Sequence, residues 1–303
     1  STAAPSVAEN VQTVGTYDAT DSDTTGTLSY SILDSNAAAA SVDHDLFSIN
    51  SGTGALTFTN APNFEAPGCG AQDNSNTCVV VLQVSDTATT DTITVTVTVS
   101  DANDNTPVFD DDDGDQDTST AAASVAENVQ TVGTYDATDG DAGASLTYSI
   151  INANANAASV DHDLFSINGQ TGALTFTNAP NFEAPGCGAQ DNSNTCVVML
   201  QVSDTATTDT ITVTVTITDV NDNTPVFDDD DGDGESSTAA PSVAENVQTV
   251  GTYDATDGDA GASLTYTIIT AGANAASVDH DLVSSSGQPG ALTFTNAPNF
   301  EAP

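Results

Sequence analysis

Apolar and polar positions along this chain alternate with a period of two. Residues 92–99, Thr-Ile-Thr-Val-Thr-Val-Thr-Val, do so strictly, which gives an extended strand one apolar face and one threonine face. Val80, Leu82 and Val84 alternate in the strand before it, and residues 27–33 read the same way. Strands at 46–50 and 55–59 flank Ser51-Gly52-Thr53-Gly54, a turn signal. With strands at 6–11 and 14–18, seven fit into about 105 residues, and no segment carries a helical stripe. The pattern predicts an all-β chain of seven-stranded Greek-key β-sandwiches.

The pattern recurs. SVAENVQTVGTYDATD begins at Ser6, Ser124 and Ser242, a period of 118 residues (124 − 6 and 242 − 124). DHDL at Asp43, Asp161 and Asp279 keeps this spacing, as does NDNTPVF at Asn103 and Asn221. The expected organisation is therefore two tandem repeats, 1–118 and 119–236, each with an acidic linker, and a partial third at 237–303. The third unit stops before the counterparts of strands 79–86 and 91–101. It is expected to expose a sheet edge and an apolar face that further chain, or a neighbour by β-augmentation, would cover.

Charge narrows the function. The 303 residues include 44 Asp and Glu and no Lys or Arg, for a net charge of −44. Nothing is available to neutralise phosphates, which excludes electrostatic nucleic-acid binding. Lysine Schiff-base chemistry and basic adhesion to anionic membranes are excluded likewise. No apolar run reaches the roughly 18 residues needed to span a bilayer, so no direct membrane insertion is expected. Ser1–Asn10 lacks the regions of a signal peptide, so any export signal is expected to be removed or upstream.

The acidic residues are not evenly spread. Only seven are glutamate, and six of them fall in two contexts: AEN (Glu9, Glu127, Glu245) and NFE (Glu65, Glu183, Glu301). Carboxylates and amide oxygens grouped in this way suit calcium, a hard cation taking six to eight oxygen ligands. A solvated acidic surface of the halophile kind explains the total charge but not this confinement of glutamate.

AEN, ATD-x-D, LFSIN-x-x-TGALTF, a strand ending in VSD, and DANDNTPVF or DVNDNTPVF follow one another here in the order seen in cadherin extracellular repeats, which the chain resembles over its whole length. The resemblance implies about three calcium ions per complete junction, stiffening the array. At the first junction it implies Glu9, Glu65, Asp101, Asn103 and Asp104, the carbonyls of Ala102 and Asn105, and Asp139, Asp141 and Asp204 from the second unit. At the second it implies Glu127, Glu183, Asp219, Asn221, Asp222, the carbonyls of Val220 and Asn223, and Asp257 and Asp259. The family usually has aspartate where this chain has Asn63 and Asn181, whose amide oxygens still ligate but carry less charge. Three ions bring six positive charges to seven carboxylates at the first junction.

Other chemistry is weaker. The even cysteine count and local spacing suggest one disulfide per unit, Cys69–Cys78 and Cys187–Cys196. Zinc would need two more ligands. His44, His162 and His280 have no nucleophile at a recognisable spacing, and carboxylate pairs without further catalytic features do not argue for glycoside hydrolysis. No enzymatic activity is expected. The acidic stretches 110–117 and 228–235 read as solvated spacers, with extra calcium binding as the alternative. Two functions remain: the shaft of an extracellular filament or surface fibre, or a calcium-dependent adhesion module. Either way, the expected partners are other such repeats, in the same chain or head to tail.

Overall fold

The structure, a computed structural model, describes residues 1–22, 26–34, 38, 40–70, 75–110, 120–152, 159–188, 193–228, 241–269, 279–285 and 290–301. The acidic stretches 110–117 and 228–235, apart from Asp110 and Asp228, lie outside the described residues. Among the described residues all regular structure is β, with three single-turn 3₁₀ segments at the DHDL motifs.

The first unit contains β1 (Thr2–Ala3), β2 (Ser6–Ala8), β3 (Thr13–Thr16), β4 (Ser29–Leu33), β5 (Phe47–Ile49), β6 (Ala55–Phe58), β7 (Thr77–Ser85) and β8 (Thr90–Ser100). One sheet runs β1-β8-β7-β4, with β2 also on β8, and the other runs β3-β6-β5. Strands β1 and β2 together form one edge, interrupted at Pro5, which has no N–H for a ladder. The second unit has Ala123 at this position, and there β10 (Thr120–Ala126) is continuous and pairs in parallel with β17 (Thr208–Thr218) over seven residues. Its first sheet is completed by β16 (Thr195–Ser203) and β13 (Thr147–Ile151). Its second consists of β11 (Thr131–Thr134), β15 (Ala173–Phe176) and β14 (Phe165–Ile167).

The inward faces of the two sheets make each core. In the second unit Val198, Leu200, Val202, Ile211, Val213 and Val215 meet Phe165, Leu174 and Phe176, and the first unit repeats the arrangement. Each of the first two units is closed by a disulfide, Cys69–Cys78 and Cys187–Cys196. The Ser-Gly-Thr-Gly turn depends on its last residue. Gly54 has φ +69°, and a Cβ there would lie 2.4 Å from the Tyr17 carbonyl oxygen.

Packing and sequence period are out of phase near the units' ends. Strand β9 (Val108–Asp110) pairs with β12 (Asp136–Thr138), and Phe109 is buried in the second unit's core. Likewise β18 (Val226–Asp228) pairs with β20 (Asp254–Thr256) of the third unit. That unit also forms a sheet of β19 (Thr249–Thr252), β22 (Ala291–Phe294) and β21 (Val283–Ser285). Residues 263–269, counterparts of the segment containing β13, form no strand, and Ile269, Leu282 and Phe300 are exposed.

Candidate metal centres at the junctions

Glu9 follows β2 and is buried, with 1% of its surface exposed. Its two carboxylate oxygens accept the Phe64 and Ala102 N–H groups, each at 2.8 Å. The side chain therefore ties together the start of the sandwich, the NFE loop and the exit from β8. Glu127 does the same in the second unit, accepting from Phe182 at 2.9 Å and Val220 at 2.8 Å. Around these anchors, Glu9, Glu65 and Asp101 bring carboxylate oxygens within 4.8 Å of one another, as do Glu127, Glu183 and Asp219. A third such group, Asp139, Asp141 and Asp204, lies on the second unit's side of the first junction.

Hydrogen bonds join the two sides. Asp101 Oδ2 accepts the Ala142 N–H at 3.1 Å, and the Asn103 amide donates to the Asp204 carbonyl at 3.1 Å. Asn105 donates its side-chain amide to Asp141 at 2.7 Å and its backbone N–H at 3.2 Å, while its carbonyl accepts the Thr207 hydroxyl at 3.0 Å. Gly140 permits this approach: a Cβ there would sit 2.9 Å from Asn105 Cγ. At the second junction Asp219 accepts the Ala260 N–H at 3.0 Å, and Asn223 donates to Asp259 at 2.8 Å. The Asp257 carboxylate accepts the Asp259 backbone N–H at 2.9 Å.

Several carboxylate oxygens are buried with no hydrogen-bond partner: Asp101 Oδ1, Asp139 Oδ2, both oxygens of Glu183, and Asp219 Oδ1. Burial pushes Asp139 up from the usual carboxylate range, and the neighbouring Asp141 and Asp204 charges add to this. Glu183 is also pushed up by burial. Asp141 is held low by the Asn105 amide, Asp204 by the Thr207 N–H, and Asp259 by the Asn223 amide. Buried, partnerless, like-charged oxygens are costly alone and suited to a divalent hard cation.

Other expected residues sit differently. Asp104 and Asp222 fall outside the three-carboxylate groups and accept amide N–H groups from Asn10 and Asn128. Asn63 and Asn181 use their amide oxygens locally, on the Ala66 and Ala184 N–H groups at 2.5 and 2.6 Å. Ala102 and Val220 present their N–H groups to Glu9 and Glu127, and Asn221 occupies the place of Asn103.

Sequence reading missed three features. Asn10 and Asn128 adopt left-handed φ of +59° and +63°, for which asparagine after AE was the available signal. Thr205, beside Asp204, has φ +87°, a strained value for a β-branched residue that no local pattern announces. Asp43 and Asp161 are structural: Asp161 accepts the Gly188 and Val197 N–H groups, each at 2.7 Å, locking the disulfide loop to β16.

Tandem β-sandwiches of this kind define a cadherin-like fold. Solved structures agree. Human CDH23 EC21-23 is 21% identical with a TM-score of 0.63, covering 97% of this chain and 92% of that one. Mouse Cadherin-23 EC22-24 is 20% identical with a TM-score of 0.60, covering 98% and 86%. Mouse Protocadherin-24 EC1-3 is 20% identical with a TM-score of 0.59, covering 98% and 85%. No protein-family model matches the chain, and comparison with curated proteins finds no match. In fold, the chain is a tandem of cadherin-like repeats.

Proposed function

We propose that the chain is a calcium-rigidified extracellular repeat array serving as the shaft of a filament or surface fibre. The observation that carries the reading is the set of buried, partnerless carboxylate oxygens at both junctions, in a chain with no lysine or arginine to balance them. At separations near 5 Å, each like-charged pair repels by roughly 1–3 kcal/mol at effective dielectrics between water and a protein surface. The donor set fits calcium: Glu9, Glu65, Asp101, Asp139, Asp141 and Asp204 would hold ions at the first junction, and Glu127, Glu183, Asp219, Asp257 and Asp259 at the second. Bound there, calcium would supply positive charge between units, so each junction would resist bending. About three ions per complete junction is the proposed count. The disulfides support an oxidising, extracellular setting, and other repeats of the same kind are the proposed partners.

Calorimetric calcium titration tests this reading. Asp101→Asn is expected to weaken binding about tenfold at one junction, the scale of a lost charged contact. Asp45→Asn, exposed in a 3₁₀ turn and a member of none of the carboxylate groups, is expected to change it less than about twofold. Equal losses in the two variants would reduce the binding to a diffuse counterion atmosphere.

A further inference from the structure

Asn168-Gly169 is the one Asn-Gly pair in the sequence. It opens the turn between β14 and β15, and both residues are exposed. The Asn168 side chain folds back over its neighbour. Its Oδ1 accepts the Gln170 N–H at 2.9 Å and the Thr171 N–H at 3.2 Å, closing a ring that contains the Gly169 nitrogen. The backbone is fixed on either side: the Asn168 N–H donates to the Ala173 carbonyl at 2.9 Å, and the Gly169 carbonyl accepts the Tyr148 N–H at 3.0 Å. The Gly169 N–H itself has no hydrogen-bond partner among the described residues.

The first unit builds the same turn with serine in place of this glycine. Asn50 Oδ1 accepts the Gly52 and Thr53 N–H groups at 3.0 and 3.1 Å, and the Ser51 carbonyl accepts the Tyr30 N–H at 3.0 Å. The turn therefore does not need glycine. A Cβ at Gly169 would meet the Tyr148 carbonyl oxygen at 3.4 Å, an ordinary contact. The two units thus differ at this point in chemistry and not in fold. The third has Ser286-Gly287 at the equivalent positions, with no side-chain amide.

We propose that Asn168-Gly169 is a site of spontaneous modification, where asparagine is converted to aspartate and isoaspartate with water as the only co-reactant. The Gly169 nitrogen, losing its proton, attacks Asn168 Cγ. The N–Cγ bond forms, the Cγ–Nδ2 bond breaks, and the side-chain nitrogen leaves as ammonia, carrying a proton equivalent to the one lost. Water then opens the cyclic imide. Addition at Cγ gives aspartate; addition at the main-chain carbonyl gives isoaspartate, whose backbone runs through Cγ. Three observations favour the reaction here. The attacking nitrogen gives up no hydrogen bond, and glycine carries no Cβ to crowd its approach. The two N–H groups on Oδ1 stabilise the negative charge that develops there during attack. Exposure admits the water. Each conversion adds a carboxylate to a chain with no Lys or Arg, and isoaspartate lengthens the turn that sets Ile167 opposite Leu174. Neither residue belongs to the junction carboxylate groups, so the inference stands apart from the calcium reading.

The test incubates the calcium-saturated 303-residue chain at mildly alkaline pH. Mass spectrometry follows the chymotryptic peptides carrying Asn50 and Asn168, and an isoaspartate-specific methylation assay gives a second readout. Asn168 is expected to lose its amide at least about tenfold faster than Asn50, the factor of a barrier difference of about 1.4 kcal/mol. The rate should rise with pH, because the deprotonated nitrogen attacks. Gly169→Ser, which copies the first unit, is expected to slow Asn168 to the rate of Asn50 without changing the melting temperature. Equal rates at Asn50 and Asn168 would overturn the proposal, as would a Gly169→Ser chain that converts as fast as its parent. An Asn168 that persists in the folded chain while converting in urea would also overturn it, because the turn would then shield the site.

Discussion

At the scale of single residues, the two buried glutamates hold the fold together whether or not a metal is bound. Glu127 is 1% exposed and accepts two backbone N–H groups, from Phe182 and Val220. Glutamine offers only one acceptor oxygen, so one N–H loses its partner. Glu127→Gln is therefore expected to destabilise the second unit by about 1–3 kcal/mol even without calcium, the cost of an unsatisfied buried donor. Urea unfolding in chelator checks this; a variant unchanged without calcium would make Glu127 a ligand only. The neighbouring aspartates set the response to pH. Asp141 and Asp204 are held low, so their stabilisation is present above the unfolded carboxylate range and is lost as pH falls through their lower folded values. Asp139 is raised, so its ionised form opposes folding above its folded value and ceases to do so in acid. In chelator near neutrality, Asp139→Asn is expected to raise the melting temperature and Asp141→Asn to lower it. The same sign for both would contradict the assignment.

Among the elements, strands with an internal signature were legible and those defined by partners were not. The alternation in residues 92–99 lies within β8, and the Ser-Gly-Thr-Gly turn does separate β5 from β6. The strand expected at 6–11 is shortened to Ser6–Ala8, and an unexpected short strand, Thr2–Ala3, precedes it across Pro5, because β8 rather than their own pattern decides the pairing of both. The Val-Phe-Asp strand read as the end of a repeat, yet Phe109 is buried in the next one; the 118-residue period has no origin, so it cannot mark where packing begins. Part of the candidate site was legible by residue type: four of the seven glutamates, Glu9, Glu65, Glu127 and Glu183, fall in the carboxylate groups. The amide contacts of Asn10 and Asn105 depend on backbone geometry and were not legible. The element least supported is 263–269. Its counterpart β13 is hydrogen-bonded along β16, whereas 263–269 forms no strand. Hydrogen exchange on monomeric chain should therefore show residues 265–269 exchanging at least about a hundredfold faster than 147–151, the contrast between open and core segments. Equal protection would show that the third unit closes its sheet by another route.

Over the whole molecule, charge and architecture make one argument. A chain of net charge −44 with no basic side chain repels itself most where carboxylates are closest, and among the described residues three-carboxylate groups form at the junctions. Asp101, Asn103 and Asn105 already hydrogen-bond across the first junction. The central claim is that calcium turns these polar hinges into stiff joints. Small-angle X-ray scattering on the 303-residue chain, with calcium and then with chelator, measures this directly. With units advancing roughly 40–45 Å each, the calcium-bound chain should scatter as a rod with a maximum dimension of roughly 100–120 Å. Chelator should broaden the distance distribution and change the radius of gyration. Indistinguishable curves in the two conditions would contradict the account.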